Sequence, residues 1–151
     1  MKAKSTPLTF KSFIIEKSVF ELIEPNNIKS ANTIDFPKYP IDINFDHYLN
    51  ENLIKVEMNI AVNAKRKYHG IKIVVNAFGI FILNSQDLDQ RQIFNLQVIS
   101  TTSIMINSIR NFISQLTSFT PMGIYILPTI DVNHLLLTKY KELNKNIEHQ
   151  K

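Results

Sequence analysis

Two neighbouring stretches fix the middle of the chain as β-structure. In the first, Ile54, Val56, Met58, Ile60 and Val62 occupy alternate positions, with Lys55, Glu57, Asn59 and Asn63 on the other parity. A helix would scatter that apolar set around its cylinder, whereas a strand gathers it on one face. In the second, Ile71, Ile73, Val75, Ala77, Phe81 and Leu83 share a face, and the opposite face starts polar at Lys72 and Asn76. It then turns apolar through Phe78, Ile80 and Ile82. A strand that is apolar on both sides either buries both or offers one to a partner. Phe78, Ile80 and Ile82 are therefore candidate binding residues.

Two further strands precede these. Ile41, Ile43 and Phe45 alternate with Asp42, Asn44 and Asp46. Phe10 to Leu22 is mixed, with Phe10, Ile14, Phe20 and Leu22 on one parity and Phe13, Ile15 and Val19 on the other. The connectors His47 to Asn52 and Lys65 to Gly70 are polar turns too short for a parallel crossover, so the sheet is expected to be antiparallel. Glu24 to Pro40 reads as an irregular excursion, because Pro25, Pro37 and Pro40 are incompatible with a central strand.

Beyond Asn84 the period changes. Ile106, Ile109, Phe112, Ile113 and Leu116 recur at helical spacing, and Ile104 and Met105 widen the stripe. This helix is expected to start between Gln90 and Thr102, weakened early by the cluster Val98 to Thr102, and to stop before Pro121. Phe119 to Pro128 follows as a proline-bounded loop, with Ile124, Tyr125, Ile126 and Leu127 expected at the surface. Asp131 is placed to cap a last helix whose apolar set is Val132, Leu135, Leu136, Tyr140 and Leu143. The expected fold is α+β: a four-stranded antiparallel sheet, a long helix, the loop and a C-terminal helix. It forms a single domain over residues 1–143, with a polar tail over 144–151 that frays.

A chain of 151 residues, 44% of them apolar, can bury a core without staples. The absence of cysteine excludes disulfides, thiolate metal sites and cysteine nucleophiles, and only three glycines exclude a glycine-rich phosphate loop. No run approaches the ~18 apolar residues of a membrane span. Residues 1–7 lack the apolar stretch of a secretory signal, so a soluble cytoplasmic protein is expected. His47, His69, His134 and His149 are dispersed and read as surface histidines, and Asp42, Asp46 and Glu57 as solvated strand positions. Ser100-Thr101-Thr102-Ser103 has neither an elbow motif nor a partnered base. No enzyme activity, metal or cofactor is expected. The net charge of +4 raises the question of an anionic partner, and the turn Lys65-Arg66-Lys67 with Tyr68 has the composition of a backbone grip beside a stacking ring. At a hairpin turn such residues more simply keep the loop solvated.

The order of elements, with certain short segments, resembles the SecB family of protein-export chaperones over roughly Phe10 to Leu143. Ser18-Val19-Phe20-Glu21 is similar to the family's first-strand Ser-Phe-Glu signature, and Asn76-Ala77-Phe78-Gly79-Ile80-Phe81 to its fourth-strand Gly-Ile-Phe segment. Ile109-Arg110-Asn111-Phe112-Ile113-Ser114 resembles the long helix with its central arginine. Thr120-Pro121, then Ile124-Tyr125-Ile126-Leu127-Pro128-Thr129-Ile130, resembles the family's Phe-Pro…Leu-x-Leu-x-Pro loop, with one extra residue between the prolines.

The resemblance implies an ATP-independent holdase. Unfolded or precursor polypeptides would lie in an apolar groove, here Phe78, Ile80, Ile82, Met122, Ile124, Tyr125, Ile126 and Leu127. It implies a homotetramer, a dimer of dimers, with Met105, Ile109, Phe112, Ile113 and Leu116 at the oligomer interface. The width of the helical stripe points the same way. It also implies docking to the motor ATPase of the translocase through Glu21. The acidic pattern behind that docking is broken: Lys17 stands where an acidic residue is expected, and Lys72 and Val74 replace a leucine and a glutamate. Two alternatives remain open. One is an interaction module for a dedicated partner, such as a SecB-like guardian of an antitoxin. The other is a nucleic-acid binder using Lys65-Arg66-Lys67.

Overall fold

The computed structural model describes residues 2, 5–25 and 34–148, with side chains as far as Glu142. Four antiparallel strands, β1 (Leu8–Ile23), β2 (Ile41–Asn50), β3 (Leu53–Val62) and β4 (Gly70–Leu83), form one sheet in the order β1-β4-β3-β2. A long helix packs on one face of it, followed by the loop and a C-terminal helix, Val132–Glu148. This is the expected α+β architecture. The C-terminal helix continues through residues 144–148, where a frayed tail was expected, and 149–151, with His149, lie outside the described residues.

The mixed parity of β1 has a simple cause. Its pairing with β4 slips between Phe10 and Ser12 and again between Ile15 and Lys17. Each bulge inserts one residue and flips the side chains that follow. Phe10, Phe13, Ile15 and Phe20 are thereby brought onto one face, opposite Phe81, Gly79, Ala77 and Ile73. The β2–β3 turn is tighter than expected. The strands pair from Ile41↔Val62 to Asn50↔Leu53, leaving Glu51 and Asn52 as the turn, with Glu51 at φ 51°. His47 and Tyr48, expected in the turn, are strand residues whose polarity had masked the pairing.

The alternation in β3 and β4 holds: Ile54, Val56, Met58, Ile60 and Val62, with Ile71, Ile73, Val75, Phe81 and Leu83, are buried beneath the helix. Asn63 departs from the expected polar face. It is fully buried, its amide donating to the carbonyls of Tyr68 and Ile71, and its Oδ1 accepting from the Tyr68 N–H. It thereby organises the β3–β4 hairpin.

The long helix starts at Gln90, where Asp89 and Gln92 form a capping box. It runs as Gln90–Phe94, a π-helical stretch Asn95–Ser100, and Thr101–Thr117. A π-turn shifts the backbone bonding to i→i+5 and widens the helix there. Hydroxyls meet the carbonyls there, Thr101 Oγ1 donating to Gln97 O at 2.6 Å and Ser103 Oγ to Ile99 O at 2.8 Å. Below them His47 is half-buried, with Nε2 3.1 Å from Thr101 Oγ1 and 3.3 Å from Thr102 Oγ1. Burial, helped by the Lys139 charge, holds its pKa below the usual range. It is not the surface histidine the sequence implied.

An aromatic groove beside the long helix

The loop after the long helix is a pinned, extended segment. Thr117 Oγ1 accepts from the Tyr125 N–H at 2.9 Å, and Arg110 donates to the carbonyls of Leu127 at 2.8 Å and Pro128 at 2.9 Å. Gly123, at φ +87°, supplies the left-handed turn that sends the chain back along the helix. Held straight, the segment alternates: Tyr125 and Leu127 are each 1% exposed, while Ile124 is 54% and Ile126 66% exposed. Sequence alone placed all four at the surface, whereas two of them are core.

Ile124, Tyr125, Ile126 and Pro128 form one wall of a groove of about 360 Å³, and Phe36, Pro37, Tyr39 and Ile41 form the other. The second wall comes from the Glu24 to Pro40 excursion and the first residue of β2, Ile41. Its described part contains a short 3-10 turn at Phe36–Lys38, with Pro37 just inside the start. The rings interlock. Phe36 meets Tyr39 and Tyr125 edge-on at 5.6 and 5.3 Å, and Tyr39 stacks on Tyr125 at 6.1 Å and on Tyr68 at 6.0 Å.

Tyr39 is anchored, its hydroxyl donating to His69 O at 2.5 Å and accepting from Ile71 N–H at 3.3 Å. Gly70, at φ +112°, makes room for it, since a Cβ there would fall on the Tyr39 hydroxyl. Tyr125 is different. Its hydroxyl is buried with no hydrogen-bond partner, and burial, with Tyr39 adding to it, pushes its pKa up to about 12.

The remaining expected site residues fall elsewhere. Phe78, Ile80 and Ile82 are half-buried on the sheet face turned away from the helix, so they do not share the groove with the loop. Lys55 covers part of that face, lying 4.8 Å from the Phe78 ring and 5.9 Å from the Tyr48 ring. Met122 is half-buried against the core. Of the residues expected at an oligomer interface, Met105, Ile109 and Ile113 are fully buried in the chain's own core, leaving only Phe112 and Leu116 partly accessible. A single sheet covers more of the stripe than its width implied. Gly79 contributes to this, because any Cβ there would collide with Met105 Sδ.

Glu21 is already engaged, with Oε2 3.0 Å from Arg66 and 3.4 Å from Lys72, and its carboxyl is held below the usual range chiefly by Arg66. Arg66 is thus exposed but paired with a carboxylate, and Tyr68 is half-buried against Tyr39 rather than free to stack on a base. Lys65 and Lys67 remain exposed. Among the described residues, no group of three or more His, Asp or Glu could hold a metal ion, and no helix is long and apolar enough to cross a membrane. Phe36, Pro37, Tyr39, Ile41 and Pro128 were missed as site residues. Their one signal was two aromatics set between prolines in an otherwise polar excursion.

Fold and groove together define an α+β protein with a four-stranded antiparallel sheet, a long helix on one face and an aromatic cleft beside that helix. Among solved structures the chain is similar to the SecB-like chaperone Rv1957 of Mycobacterium tuberculosis, in complex with a ChAD peptide from the Rv1956 HigA1 antitoxin. Identity is 7%, the match covers 82% of this chain and 91% of that one, and the TM-score is 0.49. It is also similar to a protein of unknown function from Streptococcus agalactiae, at 7% identity, 84% and 100% coverage and a TM-score of 0.41. No protein-family model and no curated protein matches the chain.

Proposed function

We propose that this protein is a non-enzymatic, ATP-independent chaperone of the cytosol that holds extended apolar stretches of polypeptide in the aromatic groove. The observation that carries this reading is the pair Ile124 and Ile126. Both project outward from a backbone already pinned by Thr117 and Arg110, beside a cleft walled with rings. Apolar side chains fixed at the surface have lost their conformational freedom before a client arrives, so burying them costs little further ordering. Covering about 100–150 Å² of such surface contributes roughly 3 kcal/mol, without a sequence code. The similarity of the loop and helix segments to the SecB family supports the same reading.

A test is suppression of aggregation. An unrelated urea-unfolded protein is diluted with and without this one while light scattering is followed, and Ile126→Asp is run beside the wild type. Stoichiometric suppression that the variant loses is expected; equal suppression by both would remove the groove from the function. Export through the translocase motor is the finer version of this role, and a homotetramer its expected assembly. A second reading, a module for one dedicated partner, is favoured by the groove's size, which suits a short motif, and by the engagement of Glu21 with Arg66 and Lys72. Failure to protect unrelated clients would select it.

A further inference from the structure

The C-terminal helix is held to the sheet by little. None of its described side chains, Val132 to Glu142, is fully buried, whereas the long helix buries Met105, Ile106, Ile109 and Ile113. Among the described residues, its one side-chain hydrogen bond to the sheet runs from Lys139 Nζ to Asp46 Oδ1, at 2.7 Å. The Lys139 side chain is 23% exposed, and its ammonium lies 4.6 Å from the Phe45 ring centroid. A gap of about 70 Å³ remains between helix and strand, lined by Ile43 and Phe45 on β2 and by Leu135, Thr138 and Lys139 on the helix. Ile41, Ile43, Phe45 and His47 alternate onto one face of β2, so the helix covers the continuation of the groove wall that begins at Ile41.

His47 ends that row, its ring edge-on to Phe45 at 5.7 Å. The Thr101 hydroxyl donates to Gln97 O, so Thr101 Oγ1 accepts from His47 Nε2–H and a second proton enters at Nδ1. The charged groups around the ring are few. β2 supplies Asp46, already paired with Lys139, and the C-terminal helix supplies Lys139 and, at the gap, Glu142. Residues 95–105 of the long helix carry no charge. On β3, His47 faces Val56, and the flanking Lys55 and Glu57 pair with each other at 2.6 Å. His134 is exposed in the first turn of the C-terminal helix. Burial and the Lys139 charge both disfavour the His47 imidazolium, against a smaller opposite pull from Asp46.

We propose that the C-terminal helix is a proton-released cover: protonation of His47 loosens it and lengthens the groove from Ile41 over Ile43 and Phe45. Rehydrating a charged His47 requires one of its covers to yield, and the helix without a fully buried side chain yields before the one that carries the core. Docking keeps His47 neutral, so by linkage its contribution is fully present above pH 6.5 and is lost as pH falls through the lower folded value. What the uncovered residues do rests on the chaperone reading above; the release itself does not.

The test is amide hydrogen exchange of the full chain at about pH 7.5 and about pH 5.5, corrected for the intrinsic chemical rate. Protection over residues 132–142 is expected to fall about fivefold at the lower pH while the amides of β3 hold theirs. His47→Gln should abolish the response, and His134→Gln/His149→Gln should keep it. Lys139→Met, which removes the clamp and its charge together, should lower protection of the helix at both pH values and shrink the response; it decides the matter if His47→Gln does not fold. No response in the wild type, a response that survives His47→Gln, a full response in Lys139→Met, or equal loss of protection in β3 overturns the proposal. A fluorescent, uncharged apolar peptide is titrated by anisotropy under the same two conditions. It should bind about fivefold tighter at the lower pH in the wild type and not in His47→Gln. Unchanged affinity beside a clear exchange response overturns the lengthening of the groove. No binding at either pH, or binding indifferent to Ile126→Asp, overturns the groove reading and leaves the proton-released helix standing.

Discussion

Two stacked tyrosines should respond in opposite directions to the loss of one oxygen. Tyr39 and Tyr125 lie 6.1 Å apart and are 4% and 1% exposed. The Tyr39 hydroxyl donates to His69 O and accepts from Ile71 N–H, while that of Tyr125 has no partner. Tyr39→Phe removes two hydrogen bonds and leaves buried backbone groups poorly satisfied, a loss of about 1–3 kcal/mol. Tyr125→Phe keeps the ring, its packing and its rotamer, and relieves the desolvation of an unpaired hydroxyl, a gain of about 1 kcal/mol. Urea unfolding at neutral pH resolves a gap of that size, because a slope of about 2 kcal/mol per molar separates the two midpoints by roughly 1–2 M.

A second readout comes from alkaline pH. The folded-state pKa of Tyr125 is raised from its usual 10 to about 12. The neutral phenol is thus favoured by folding, and its contribution is fully present below pH 10 and lost as pH rises through 12. Tyr125→Phe should flatten the stability curve in that window, with Tyr39, also raised by burial, supplying what slope remains. Client affinity should not change, since Tyr125 is 1% exposed and its hydroxyl is buried out of a client's reach. If Tyr125→Phe destabilises as much as Tyr39→Phe, the Tyr125 hydroxyl has a partner and the account of the cluster is wrong.

Two further perturbations separate positioning from packing. Arg110→Ala removes the hydrogen bonds to Leu127 O and Pro128 O. It should cost about 1–2 kcal/mol, weaken client binding several-fold and speed amide exchange at Tyr125; unchanged exchange would show that Thr117 alone holds the loop. His47 has a folded pKa depressed below 6.5 by burial and by Lys139, opposed by Asp46 and a backbone hydrogen bond at Val98. Its stabilising contribution is therefore present above pH 6.5 and lost as pH falls through the folded value. His47→Gln should flatten the urea midpoint between about pH 7 and pH 5; a wild-type midpoint constant over that range would refute the assignment.

The two inner strands of the sheet, β3 and β4, were legible because alternation is a property of contiguous residues. Ile54 to Val62 and Ile71 to Leu83 carry their faces in their own order, and the structure buries the faces they name. β1 was legible as a strand but not as a face, since its two bulges exist only in its pairing with β4. His47 was hidden for a related reason: its environment is made by Thr101 and Thr102, more than fifty residues away in sequence. The groove was half visible. Its loop wall has consecutive apolar residues, but which of them face out depends on a hydrogen bond to Thr117 and others from Arg110 that no local pattern encodes. Its other wall, around Phe36 and Tyr39, has no period.

The same long-range hydrogen bonds explain how exposed isoleucines persist in a folded chain. A free loop of this composition would collapse its apolar side chains onto the nearest surface, and Ile124 and Ile126 would disappear with Tyr125 and Leu127. Pinning the backbone straight makes that impossible, because period-two geometry forces neighbours to opposite sides. Burying Tyr125 and Leu127 supplies about 3–6 kcal/mol toward holding the segment. Displaying Ile124 and Ile126 forgoes a comparable burial, which a client can restore. Stability of the loop and availability of the groove therefore come from one alternating segment, so a variant that loosens the loop should lose client binding even where it leaves every groove side chain in place.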